Sequence, residues 1–307
     1  MTQIPAFTHH DNRGSTMKRS AVIAASVLAL GASLGARPAA AQTTVGLDLA
    51  ANSSYFWRGL TYTNKFVLQP DAYLTFPLGP LSFTVGAWAN VEPGQYNSSA
   101  GDISEAAGVS SFKVSEVDLW GELNLPVGLA TLTAGATRYI YPNDSAKVAT
   151  SLNNGAFGLF AFTKANNTVD IYGKVALNVL LSPKLAVWYD VDKVKGAYFE
   201  GSISHGIPLG ITTLNLGALA GYSAGQGSCT QPCTELANFL DNGLTHVDLS
   251  ASVGIPAGPV TITPNVHGLI TNDKWTKVTS PTSLDKGFKL LAGATVSWSK
   301  ALGGKKK

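Results

Sequence analysis

The chain holds 307 residues, of which 45% are hydrophobic and only 13% charged, with a formal net charge of +3. Ordinary soluble domains carry roughly 25% charged residues, yet past residue 41 no apolar run approaches the roughly 20 residues of a spanning helix. The positive excess sits in the first 41 residues (Arg13, Lys18, Arg19 and Arg37 against Asp11) and in Lys305–Lys307, so the chain past residue 41 is neutral, is negative without that tail, and has no basic stripe for nucleic acid.

Met17-Lys18-Arg19 makes a short basic start, and Ala21 to Leu34 follows as an apolar run of small and branched residues. Pro38-Ala39-Ala40-Ala41-Gln42 then supplies the small side chains that a signal peptidase reads. Residues 1–41 are expected to be a secretory signal cut after Ala41, with residues 1–16 as extra upstream sequence. Met1 and Met17 both stand as starts.

From there a period of two recurs in blocks of about a dozen residues. In 81–92, Leu81, Phe83, Val85, Ala87, Ala89 and Val91 share one face, opposite Ser82, Thr84, Gly86, Trp88, Asn90 and Glu92. In 116–125, Val117, Leu119, Gly121, Leu123 and Leu125 lie opposite Glu116, Asp118, Trp120, Glu122 and Asn124. A tilted strand of about ten residues crosses a bilayer.

Tight Pro/Gly turns at 77–80, 126–128, 182–183, 208–210 and 256–259 alternate with longer polar stretches at 61–66, 93–114, 142–168, 193–196, 225–243 and 273–287. This predicts twelve strands, near 45–58, 67–77, 81–92, 115–125, 129–141, 169–181, 184–192, 197–207, 211–224, 244–255, 259–272 and 288–299. The fold expected over 42–299 is all-β, a transmembrane antiparallel up-and-down β-barrel, with residues 300–307 as a basic tail. Closure leaves no unpaired strand edge in lipid. A soluble sandwich or solenoid is disfavoured by the unbroken apolar faces and by the lack of a repeat of about 20–50 residues.

Aromatics near the expected strand ends (Tyr55-Phe56-Trp57, Tyr139, Tyr141, Trp188-Tyr189, Tyr198-Phe199 and Trp298) suit the two membrane interfaces. Cys229 and Cys233 flank Thr-Gln-Pro, and export to an oxidising compartment predicts a local disulfide between them. The histidines lie elsewhere, so no metal site is expected. There is no signature for nucleotide, haem or any other cofactor.

If the apolar faces meet lipid, the opposite faces line an interior. Arg or Lys facing lipid at the midplane would cost roughly 2–4 kcal/mol. The candidate lining residues are Arg58, Asp71, Glu92, Glu116, Asp118, Glu122, Asp170, Lys174, Asp190 and Asp248. Asp48, Asp192, Glu200, Lys184, Lys289, His246 and His267 share the inward parity. The acidic excess favours cations; pairing of these acids with the bases across a narrow lumen is the alternative. About eight strands leave room only for packed side chains, and about 16–18 leave an aqueous channel. With Tyr73, Trp88, Trp120, Tyr172 and Trp188 also inward, twelve strands predict a narrow pore, with a loop plug as an open alternative. Arg58 is expected to anchor carboxylates such as Asp71 or Glu92, or else to sit at the rim.

Ser53-Ser54-Tyr55-Phe56-Trp57-Arg58-Gly59-Leu60-Thr61 resembles the aromatic Arg-Gly motif near the start of the TorF-type outer-membrane porin family. Gln69-Pro70, Gly86-Ala87-Trp88-Ala89 and Ser115-Glu116-Val117-Asp118-Leu119-Trp120 stand where that family has its next elements. The similarity covers roughly residues 45–125. It implies an outer-membrane location and a pore-like function and brings no substrate. The chain departs from the common barrel ending in one respect: Trp298 is followed by a basic tail rather than by a terminal aromatic residue.

The expected function is a porin-like channel for passive diffusion of small solutes or ions, with a mild cation preference. Its partners would be outer-membrane lipid and lipopolysaccharide, with the barrel-assembly machinery inserting it and no nucleic acid bound. A plugged structural or surface-interaction barrel, using 93–114, 142–168 and 225–243 as binding loops, stays open. Gly221-Tyr222-Ser223-Ala224-Gly225 spells Gly-x-Ser-x-Gly, but a nucleophile elbow needs a strand-to-helix turn and here a strand runs into a Gly-rich loop. An outer-membrane lipase is therefore the least favoured reading, and no catalytic residue is expected.

Overall fold

A computed structural model describes residues 42–94, 112–142, 167–226, 238–239, 242–271 and 287–303. The elements in chain order are β1 (Thr44–Asn52), β2 (Tyr55–Trp57), β3 (Leu60–Thr63), β4 (Val67–Leu78), β5 (Leu81–Glu92), β6 (Lys113–Val127), β7 (Ala130–Ile140) and β8 (Thr168–Leu177). They continue with β9 (Lys184–Asp190), β10 (Ala197–Leu209), β11 (Thr212–Ala224), β12 (Gly243–Val253), β13 (Ile255–Ala257), β14 (Val260–Thr271) and β15 (Gly287–Ala301). Helices are absent from the described residues.

Apart from the β2–β3 pair, each strand runs antiparallel to its sequence neighbour, and β1 closes the sheet on β15 from Thr44↔Ala301 to Asn52↔Gly293. β12 and β13 act as one strand interrupted at Gly254, since both pair with β14. The result is a closed antiparallel barrel of twelve strands. No edge is left, which lets hydrocarbon surround it without orphaned backbone groups.

Alternation sets the two faces. Leu47, Leu49, Leu74, Val85, Leu119, Leu123, Leu132, Val175, Leu216, Leu249 and Val266 point outward and are exposed, whereas the residues between them turn inward. Of the side chains expected at the inner face, Asp71, Glu116, Asp118, Asp170, Asp190 and Asp248 are buried on their strands, whereas Lys184 and Asp192 are exposed and Arg58 stands on an insertion outside the alternation. The aromatics expected at membrane interfaces face outward only in part. Tyr189 and Phe199 face outward, but Tyr55, Phe56, Trp57, Tyr139, Tyr141, Trp188 and Tyr198 are buried inside the barrel.

Most strand boundaries differ from the sequence expectation by a residue or two, and three of the differences bear on the site or have a visible cause. The strand expected over 169–181 stops at Leu177, because Leu181 and Ser182 adopt left-handed φ values of 64° and 36° ahead of Pro183. The last strand runs to Ala301, held by Thr44 opposite it. The largest difference is at the start, where β1 ends at Asn52 and not at residue 58. Trp57 pairs with Leu60, and between them Arg58 and Gly59 have φ of 49° and 99°. Two central residues with positive φ make the two-residue hairpin turn whose twist matches its strands.

β1 and β4 pair directly from Thr44↔Thr75 to Asn52↔Val67, so residues 53–66 are an insertion at the tip of that strand pair. The insertion folds into the bore. Every residue from Ser54 to Thr63 is buried. The polar stretch expected as an external loop at 61–66 is thus in large part interior.

Candidate functional site

The five tight turns lie at one end of the barrel, together with Thr44 and Ala301, and the hairpin occupies the half of the bore toward the other, long-loop end. The wall records this division along single strands. On β6, Glu116 and Asp118 are 0% and 3% exposed, while Trp120, Glu122 and Asn124, nearer the tight turns, are half-buried. On β8, Asp170 is buried and Lys174 is half-buried.

Arg58, at the hairpin tip, is the pivot of the filled half. Its Nη2 donates to Asp170 Oδ2 at 2.7 Å and its Nη1 to Gln226 Oε1 at 3.3 Å. The guanidinium carbon lies 4.6 Å from the ring centroids of Trp57 and Tyr198 and 5.5 Å from that of Trp188. The Tyr139 hydroxyl donates to the same Asp170 oxygen at 3.1 Å. A cavity of about 10 Å3 beside the group, lined by Tyr139, Tyr141, Thr168 and Asp190 among others, has the size of a single water. Gly59 completes the turn against β12; a side chain there would meet the Thr245 carbonyl at 3.1 Å.

The rest of the hairpin is tied to the wall by further polar contacts. The Tyr55 hydroxyl donates to Glu116 Oε2 at 2.9 Å, Thr63 Oγ1 to Glu92 Oε1 at 3.0 Å, and Lys289 Nζ to Thr61 Oγ1 at 3.0 Å. Phe56 meets the His246 ring edge-on at 5.5 Å. Beside the hairpin's root an amide ladder crosses four strands: Asn52 Nδ2 donates to Gln69, Gln69 Nε2 to Asn90, and Asn90 Nδ2 to Ser115, at 2.8, 3.0 and 2.7 Å. Buried amides chained in this way satisfy one another where water is excluded.

Toward the tight turns the bore stays polar and partly open. Lys174 Nζ donates to Glu122 Oε2 at 3.0 Å, with Tyr172 and Asn124 donating to the same carboxylate. The Lys174 and Glu122 side chains keep 23% and 15% of their exposure. Trp120 Nε1 donates to Asp71 at 3.3 Å. Trp120 lies across Gly86, where an added Cβ would come within 2.5 Å of the ring, and Tyr172 lies in the same way across Gly135. Glycine opposite each ring lets the aromatic side chains lie flat on the wall.

All ten candidate lining residues lie within the barrel, but in different roles. Arg58 pairs with Asp170 on β8 and not with Asp71 or Glu92, because the hairpin carries it across the bore, away from β4 and β5. Glu92 faces Lys113 at 3.7 Å. Asp190 organises the following turn: its Oδ1 accepts from the backbone N–H groups of Asp192, Val194 and Lys195, and Thr168 Oγ1 donates to Oδ2. Asp248 lies 2.9 Å from His267 Nδ1. Asp192, at the same rim, is largely exposed. Asp48 and Asp71 sit directly opposite each other on β1 and β4, and Glu116 and Asp118 share a face of β6. These four have no cationic side chain within ion-pair distance among the described residues.

Gln226, the inward role of Tyr139 and the inward position of Trp57 escaped sequence reasoning, since each depends on contacts distant in the chain. Ser223 of the Gly-x-Ser-x-Gly stretch lies in extended β11, paired with Tyr198 and Gly243. Cys229 and Cys233 lie outside the described residues.

The fold is that of outer-membrane barrels. An outer membrane channel from Pseudomonas putida F1 superimposes with a TM-score of 0.50 at 9% identity, over 87% of this chain and 100% of that one. LpxR from Salmonella typhimurium gives 0.46 at 9% identity, over 83% and 99%. A BenF-like porin from Pseudomonas fluorescens Pf-5 gives 0.30 at 10% identity, over 85% and 98%. No protein-family model and no curated protein matches the chain.

Proposed function

We propose that this chain is an outer-membrane channel of the TorF-type porin kind, passing small solutes or ions through a bore narrowed by its own hairpin. The observation that carries the reading is the half-open polar lumen: Glu122, Lys174 and Trp120 keep contact with water inside a barrel whose outer face is apolar. Charged groups that keep their hydration inside a closed wall mark a water-filled path. Asp48 and Asp71, without cationic partners among the described residues, bias that path toward cations.

The wider setting follows from the same reading. Residues 1–41 act as the export signal, and the barrel-assembly machinery inserts the mature strands. Outer-membrane lipid covers the apolar face, and Arg138, exposed on that face near the long-loop end of β7, meets the phosphates of lipopolysaccharide. The P. putida protein of similar fold is an outer membrane channel, which agrees with this proposal without carrying it.

Recording from the purified protein in planar bilayers tests the proposal. Discrete conductance steps with a cation-selective reversal potential across a salt gradient are expected; anion selectivity would overturn the assignment of the acids. One observation favours a second reading, a plugged structural barrel: the buried hairpin itself. A bilayer without steps, joined to liposomes that exclude both small sugars and small amines, would select it.

A further inference from the structure

We infer that the lumen contains a guanidinium receptor, that Arg58 of the chain's own hairpin is its resident occupant, and that small guanidinium solutes bind the same box when that side chain is withdrawn. The argument begins with who supplies the walls. Asp170 comes from β8, Trp188 from β9, Tyr198 from β10, and Gln226 follows β11; only Trp57 travels with the hairpin. Three of the receptor's walls, Asp170, Trp188 and Tyr198, therefore stand on barrel strands and persist without the occupant.

The walls fit one cation class. A carboxylate oxygen at 2.7 Å and an amide oxygen at 3.3 Å accept from two different nitrogens of one planar fork. Rings lie 4.6, 4.6 and 5.5 Å from the central carbon, at the distances where aromatic faces attract a weakly hydrated, delocalised cation. Both acceptors are themselves fixed in place. Tyr139 donates to Asp170, and Gln226 is oriented by Asn238 Nδ2 at 3.1 Å and by its own Nε2 donating to Gly196 O at 3.2 Å. A compact ammonium would sacrifice more hydration and fill the fork less well. Structural anchoring alone would need only Asp170. Three surrounding rings and a second oriented acceptor amount to a binding site, into which the turn holds Arg58 in the left-handed region that non-glycine residues disfavour.

The test is chemical rescue. R58A, refolded in detergent, is heated with low-millimolar guanidinium or methylguanidinium chloride, with sodium and tetramethylammonium chloride at matched ionic strength alongside. The expected result is a saturable rise in the unfolding midpoint of R58A with the two guanidinium salts alone, and none in the wild type, whose box is filled. The R58A/D170N double variant should bind about tenfold more weakly or worse, since it loses the charge of the acceptor. Should R58A not refold unaided, refolding yield with and without guanidinium becomes the readout, and R58Q is run beside it. A midpoint or yield indifferent to guanidinium, or a rescue equal in R58A/D170N, overturns the inference. None of these readouts requires conduction, so a failure here is distinct from a failure of the channel reading.

Discussion

Replacing Asp170 with alanine should release the hairpin more than any other single change on the wall. In the native barrel Arg58 and Asp170 are 1% and 2% exposed in their side chains and 2.7 Å apart. Removing the carboxylate leaves a buried guanidinium without its counter-ion, a loss of about 3–5 kcal/mol. The Tyr139 hydroxyl also loses its acceptor, which adds about 1–3 kcal/mol where water cannot replace it. Because Gln226 and the three rings still hold the guanidinium, about 4 kcal/mol is a reasonable net figure. At about 1.4 kcal/mol per decade, that is close to a thousandfold change in the ratio of docked to undocked hairpin. Hydrogen exchange of the amides in 53–63 reads this ratio directly, because undocking exposes them while the strands stay paired. D170A should lower hairpin protection by about three decades, and D170N, which keeps one acceptor oxygen, by less. Hairpin exchange within about tenfold of wild type in D170A would refute the claim that this pair holds the insertion.

Other perturbations separate wall, plug and lipid face. Joining Asn52 to Val67 through Asn-Gly, in place of 53–66, extends a register already paired up to those residues; the protein should still form a heat-modifiable β-barrel by circular dichroism and gel shift, with larger unitary conductance. Leu123→Arg places a charge on the outward face opposite Ala134 and should cost roughly 2–4 kcal/mol in urea-titrated folding into vesicles. Asp71→Asn keeps an acceptor for Trp120 while removing a charge that faces Asp48, so folding should hold and the cation reversal potential should shrink. Gly86→Val drives a side chain into the Trp120 ring, and should displace it from Asp71 with a measurable change in tryptophan emission.

What could be read from the sequence, and what could not, divides along the range of the interactions involved. The twelve strands follow from a local rule, since each residue's face is fixed by parity and each tight turn by proline and glycine. Leu81–Glu92 appears in the structure with the limits expected for it. The hairpin breaks parity by means of a turn whose first residue is arginine, a type without special tolerance for positive φ, so nothing in Tyr55-Phe56-Trp57-Arg58 announces a reversal. The same aromatic residues fit an interfacial girdle equally well, and only the three-dimensional position of Asp170, 112 residues away, decides between the two. Asp190 shows the same limit on a smaller scale. Its parity gives the inward direction, but its acceptance of three backbone N–H groups depends on how the next five residues turn.

The barrel's size explains why an insertion of this kind belongs in it. About eight strands enclose a space that wall side chains fill, and about 16–18 enclose an aqueous channel. Twelve fall between, so side chains from the wall alone reach only part of the way to the axis. Near the tight turns the chain meets this with large rings laid on glycines, Trp120 over Gly86 and Tyr172 over Gly135, and leaves the remaining space to water and to the Glu122–Lys174 pair. Toward the long loops Glu92 is met by Lys113 of the adjacent strand, and Asp170 by Arg58, which the hairpin brings inward. Its backbone groups cannot all bond to the wall, so β2 and β3 satisfy each other as a separate two-stranded sheet. An element that carries its own backbone pairing can leave the bore without unzipping a single barrel strand, which is the property a gate requires.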